Sequence, residues 1–217
     1  MESGFDPRIV ELLCSHLCHE LISPVSAVNN GMELISGGDA ELAAEAMGLI
    51  RQSAAEASRR LQFYRLAYGQ ASGFESGRSL VQARELAQGL FQGSKITLGW
   101  TEQETGGIAA DKQSVKLLLN AVGLAREALP RGGRIAVTVA GPGPVLRAEV
   151  AAEGPGARLT PELQAAMAPD TDVQTLTPRT VHAYLVAWLA RRLDAGLAAD
   201  LAAADRVVFR VQLKTGG

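Results

Sequence analysis

Apolar residues recur along the first part of the chain at alternating steps of three and four: Val10, Leu13, Leu17, Leu21, Val25, Val28, Met32 and Ile35. That spacing predicts one helix from residue 6 to about residue 36 with a single apolar seam. Gly37-Gly38 ends it, and Asp39 offers an N-cap to a second helix reaching Tyr68. The seam of this second helix is Ala43, Met47, Ile50, Ala54, Ala57, Leu61, Tyr64 and Tyr68. Two long helices joined by a short turn make an antiparallel hairpin. The side of the seam left bare is covered most efficiently by a second copy, so the pattern predicts a homodimer held by a four-helix bundle.

A Gly/Ser/Gln-rich stretch at 69–79 reads as a linker, and after it the period changes. Helical spacing at 80–92, 111–128, 160–167 and 179–195 is interleaved with strand-like runs at 95–100, 134–140, 146–152 and 207–213. Pro130 and Gly132-Gly133 close the long helix, and Gly141-Pro142-Gly143-Pro144 joins two alternating strands as a hairpin turn does. The expected fold class is therefore α plus α/β: a helical hairpin over 1–72 and an α/β sandwich over 78–217.

Composition narrows the function. With 21 basic against 23 acidic residues in 217, the net charge of -2 provides no field to hold nucleic acid or an anionic membrane. No early segment has the make-up of an export signal and no run approaches the roughly 18 apolar residues of a membrane span, so the expectation is a soluble, cytoplasmic protein. The two cysteines, Cys14 and Cys18, lie one helical turn apart, where a disulfide closes almost no loop. They read as free thiols.

The densest chemistry is the run Cys14-Ser-His16-Leu-Cys18-His19-Glu20-Leu-Ile-Ser23-Pro24-Val25. Helical geometry puts His19 off the seam, on a face with Leu12, His16, Ser23 and Asn30, so its imidazole points outward for a partner to reach. A neutral imidazole can attack phosphorus through one nitrogen while the other is held by an acceptor, for which Glu20 is a candidate. Pro24 has no N–H for the carbonyl of Glu20 and crowds it, which predicts a bend one turn beyond His19. Four zinc ligands from Cys14, His16, Cys18 and His19 cannot converge from six residues of one helix. Haem attachment needs one residue fewer between the cysteines.

The string His19-Glu-Leu-Ile-Ser-Pro-Val25 resembles the phosphoacceptor box of histidine kinases. The longer run Cys18–Ile35, followed by Arg126-Glu-Ala-Leu-Pro-Arg-Gly-Gly133, resembles the bacterial histidine phosphotransferase family of the ChpT type. The second half resembles a histidine kinase ATP-binding domain that has lost its nucleotide contacts. Asn120 stands like the kinase asparagine that places Mg²⁺, although its plain reading is a buried helix residue, and Gly123 replaces a polar or basic residue. Val150-Ala-Ala152-Glu-Gly154-Pro-Gly156 keeps two glycines of the nucleotide box but has Ala152 in place of the adenine-binding aspartate, and an apolar methyl cannot accept adenine's amino proton. Thr177-Pro-Arg-Thr-Val-His182 lacks the later Gly-x-Gly. His182 reads as a packing or surface residue, and Arg59-Arg60 and Arg191-Arg192 as solvated faces.

The resemblance implies a relay in which His19 takes a phosphoryl group from the receiver aspartate of a hybrid histidine kinase and gives it to response-regulator receivers. Those response regulators would control the cell cycle. His19 is then the nucleophile, Glu20 the orienting or proton-accepting group, and Ser23 a contact to the phosphoryl group, with docking around Leu12, His16, Ser23 and Asn30. The partner receiver supplies Mg²⁺, and the chain needs no ATP, metal or other cofactor of its own. The alternatives are an active histidine kinase and a non-catalytic dimeric scaffold.

Overall fold

A computed structural model of the chain describes residues 6–36, 40–70, 79–103 and 110–216. The hairpin is formed by α1 (Pro7–Ser36) and α2 (Ala40–Tyr68), which pack along their length. The Gly37-Gly38 turn, the Asp39 cap and most of the 69–79 linker lie outside the described residues. Pro24 sits inside α1 and is buried, and the helix continues through it. The carbonyl of Glu20 that Pro24 leaves without its N–H partner accepts instead from the guanidinium of Arg60 on α2.

The second half contains α3 (Ser79–Phe91), β1 (Ile96–Gln103), α4 (Lys112–Glu127), β2 (Gly133–Ala140) and β3 (Val145–Glu153). It continues with α5 (Pro161–Met167), α6 (Val181–Leu193), β4 (Ala198–Ala203) and β5 (Arg206–Lys214). The strands form one sheet in the order β1-β2-β3-β5-β4. β1 and β2 run parallel, joined through α4, and the other pairs are antiparallel.

Alternation along the strands explains the two layers. Ile135, Val137 and Val139 of β2, Leu146, Ala148 and Val150 of β3, and Phe209, Val211 and Leu213 of β5 are buried on the helix side. The opposite face carries charge, with Arg210 paired to Glu149 at 2.9 Å and Asp200 at 2.7 Å. Helix α4 starts on a capping carboxylate, Asp111, which accepts from the backbone N–H groups of Gln113 and Ser114. α5 has Thr160 as cap and Pro161 in its first turn.

The two glycines kept from the nucleotide box have a structural reason here. A Cβ on Gly154 would lie 2.4 Å from the carbonyl oxygen of Gly132, and Gly156 has a φ of 75°. Ala152 is fully buried in β3, between Ile135 and Val207 of the neighbouring strands. Among the described residues no helix is long and apolar enough to cross a membrane.

Candidate functional site

The hairpin packs on α3, α4 and α6 of the second half, and its hydrogen bonds to α4 run along one strip. Lys116 donates to the carbonyls of Tyr68 and Gly69 at the end of α2, and the Asn120 amide donates to Ala67 at 2.6 Å and Lys116 at 2.8 Å. Six residues beyond Asn120, Arg126 donates to Glu20 at 2.6 Å and to the Tyr64 hydroxyl at 3.3 Å. The start of α1 is seated separately. Arg8 donates to the carbonyls of Val173, Gln174 and Leu176, and His16 Nδ1 lies 3.0 Å from the carbonyl of Pro178, which can only accept.

This seating corrects the expected outward face of α1. Leu12 and His16 share the helical angle of His19, but both are buried, His16 to 7% exposure, because the 173–178 segment and α6 cover that side of the first turns. From His19 onward the same face is free, and His19, Ser23 and Asn30 are exposed. The chain has three histidines, and His19 is the exposed one, since His16 and His182 are both buried. His19 makes no hydrogen bond or ion pair among the described residues. Cys14 and Cys18 are free and exposed beside it.

Glu20 does not face His19. Successive residues on a helix diverge by about 100°, and this carboxylate turns inward to Arg126 at 2.6 Å and Arg60 at 3.5 Å. Burial pushes the Glu20 carboxyl up, but Arg126 and then Arg60 overcome this and hold it below the usual carboxylate range. Arg60, expected on a solvated face, is mostly buried and also pairs with Glu56 at 2.5 Å. Arg191 and Arg192 are exposed as expected, Arg192 lying 5.2 Å above the Trp188 ring.

Beneath His19 lies a buried cluster that sequence reading did not assemble: His16 from α1, Tyr64 and Tyr68 from α2, Asn120 and Glu127 from α4, and His182 from α6. The His16 ring is 5.5 Å from that of His182 and 6.2 Å from that of Tyr64. His182 Nε2 is 3.2 Å from Asn120 Oδ1 and its Nδ1 is 2.5 Å from Glu127 Oε1. Gly123 makes room for this ring, because a Cβ there would lie 2.8 Å from His182 Cε1. Asn120 thus spends its amide on α2 and His182. Burial lowers the His16 imidazole from its ordinary value, and neighbouring His182 lowers it further, against the opposing pull of Glu127. Burial likewise raises the Tyr64 and Tyr68 phenols, so both stay protonated. The sequence signal for the cluster is slight: a histidine within the apolar run Val181-His-Ala-Tyr-Leu-Val186, and a glycine one helical turn before Glu127.

The fold is a two-helix hairpin that presents one exposed histidine, backed by a two-layer α/β unit. A family model of the histidine phosphotransferase C-terminal domain matches residues 80–205, and the chain belongs to the histidine phosphotransferase family. Within it, the chain is 36% identical over 205 residues to Protein phosphotransferase ChpT of Brucella abortus (strain 2308), covering 93% of each. A solved bacterial phosphotransferase at 1.7 Å superposes with a TM-score of 0.76 and 33% identity, over 94% of this chain and 95% of that one. The catalytic domain of the histidine kinase ThkA aligns with 65% of this chain and 94% of its own at a TM-score of 0.49 and 18% identity. The chain is a phosphotransferase of phosphorelay signalling, as its family places it.

Proposed function

We propose that His19 carries the phosphoryl group between receiver domains, taking it from the aspartyl phosphate of a hybrid histidine kinase and passing it to response regulators. The observation that carries this reading is that His19 is the exposed histidine of the three. A nitrogen of its neutral imidazole attacks phosphorus, the bond from phosphorus to the receiver's carboxylate oxygen breaks, and the aspartate leaves as a carboxylate. The second receiver's aspartate reverses these bond changes. In-line transfer of this kind depends on positioning and charge neutralisation, and the receiver brings its own Mg²⁺ and basic group.

Ser23, one turn from His19, would contact the phosphoryl group, and Asn30 would extend the docking face along α1; the exposure of both supports this. Glu20 serves this site from beneath: its pairs with Arg126 and Arg60 fix the turn of α1 that carries His19. Leu12 and His16 belong to the support of that surface and not to its contact face.

Two observations support transfer without ATP. Ala152 offers a buried methyl where an adenine acceptor is needed, and Asn120 is committed to Ala67 and His182. The dimer is supported by exposed apolar residues of the hairpin: Val10, Val25 and Met32 on the side of α1 away from His19, with Met47 and Leu61 on α2. A second hairpin would cover them and leave His19 outside. The relay would act in the cytoplasm, where receivers are met.

The test is acid-labile label on the purified chain after incubation with a radiolabelled phospho-receiver or with ATP alone, beside His19→Ala. Label that requires both the receiver and His19 is expected. Label from ATP alone would make the chain a kinase, and no label with a panel of receivers would leave a scaffold.

A further inference from the structure

We propose that His16, Glu127 and His182 form a buried binding site for one divalent transition-metal ion, zinc by its donor set. The inference goes beyond phosphotransfer and does not rest on it. One donor atom from each residue lies within 4.8 Å of the other two. Three different helices supply them: α1, α4 and α6.

The hydrogen bonds around the cluster turn one nitrogen of each imidazole to this point, unpartnered on His16 and bonded to Glu127 on His182. The carbonyl of Pro178 can only accept, so His16 carries its proton on Nδ1 and leaves Nε2 bare. The Asn120 amide nitrogen donates to two carbonyls, so its oxygen faces His182 Nε2, which carries the proton there. His182 Nδ1 is then the available nitrogen. A metal-binding histidine is usually oriented in this manner, with its second nitrogen bonded to a carbonyl or another acceptor.

Two buried atoms among the described residues support a ligand. His16 Nε2 has no hydrogen-bond partner, and neither has the Tyr68 hydroxyl, whose ring lies 6.1 Å from that of His16 and 5.5 Å from that of His182. His16 Nε2 is 3.9 Å from Glu127 Oε1, and His182 Nδ1 is 2.5 Å from the same oxygen. Ligands about 2.0–2.1 Å from a tetrahedral ion stand roughly 3.4 Å apart, so side-chain shifts of about 1 Å close the site. Two histidines and a glutamate are a known zinc donor set, and a water beside the Tyr68 hydroxyl completes four-coordination. The proton now shared between Glu127 and His182 is released as the ion binds. The ion would tie α1 to α4 and α6 one turn before His19 and so rigidify the presentation of the phosphoacceptor.

The test uses the full chain with Cys14→Ser, Cys18→Ser and His19→Ala, which removes the surface donors, after chelator treatment. Titration with Co²⁺ is expected to give the visible d–d bands of a tetrahedral ion at one equivalent per chain, displaced by Zn²⁺. His16→Gln and His182→Gln are each expected to weaken binding at least about tenfold. In parallel, Zn²⁺ should shift the imidazole NMR signals of His16 and His182 in the chain that retains both, a readout independent of how the variants fold. No tetrahedral cobalt spectrum, or imidazole signals unmoved by Zn²⁺, would overturn the site.

Discussion

Replacing Arg126 with alanine removes the guanidinium that joins the two halves beside the turn of α1 that carries His19. It breaks a 2.6 Å charge-assisted bond to Glu20 and a 3.3 Å bond to the Tyr64 hydroxyl, both mostly shielded from solvent. Bonds to charged groups contribute about 1.5–3 kcal/mol, and Glu20 retains Arg60 as a second, longer partner at 3.5 Å. The expected loss is about 2 kcal/mol, or about 4–8 °C in the melting temperature of a chain this size. Glu20→Gln and the double variant complete a cycle in which the two sites should couple by about 1–2 kcal/mol. Thermal and urea unfolding of the four proteins measure it. Destabilisations that add to within about 0.3–0.5 kcal/mol would refute the pair as a clamp.

The remaining predictions concern packing, pH and assembly. Gly123→Ala places a methyl against the His182 ring and should cost about 1–3 kcal/mol in a thermal melt, whereas wild-type stability would show that α6 does not press on α4 there. Glu20 has a folded pKa below its reference of 4.5, so its contribution to stability is complete above about pH 4.5 and is lost as pH falls through the lower folded value. The stability gap between wild type and Glu20→Gln should therefore shrink below pH 4.5 in chemical unfolding, and a constant gap would contradict the assignment. Val25→Asp with Met32→Asp should convert the proposed dimer to monomers in light scattering while circular dichroism keeps the helical signal, and an unchanged mass would place the contact elsewhere.

Much of the fold follows from local pattern. The two hairpin helices and four of the five strands carry clear apolar periods, and the structure places them within a few residues of expectation. β4 escaped because Ala198-Ala-Asp-Leu-Ala-Ala203 has neither β-branched residues nor alternation, and this edge strand owes its conformation to pairing with β5. The exposure of His19 was legible, because its helical angle lies off the apolar seam and, among the described residues, no later segment covers it. His16 shows the limit of that reasoning. It shares the angle of His19, and its burial depends on a loop 162 residues away whose carbonyl it meets. Glu20 misled for a related reason: adjacency in sequence suggested a partner for His19, while its partners lie 40 and 106 residues away.

The central claim is tested most directly by locating the phosphate on the chain. After transfer from a phospho-receiver, mass spectrometry under neutral or basic conditions that preserve phosphohistidine should find the added group on the peptide containing His19. The peptide bearing His182 should be unmodified, and fragmentation should separate His19 from His16. Phosphate on His16 or His182, or label that survives in His19→Ala, would contradict the account.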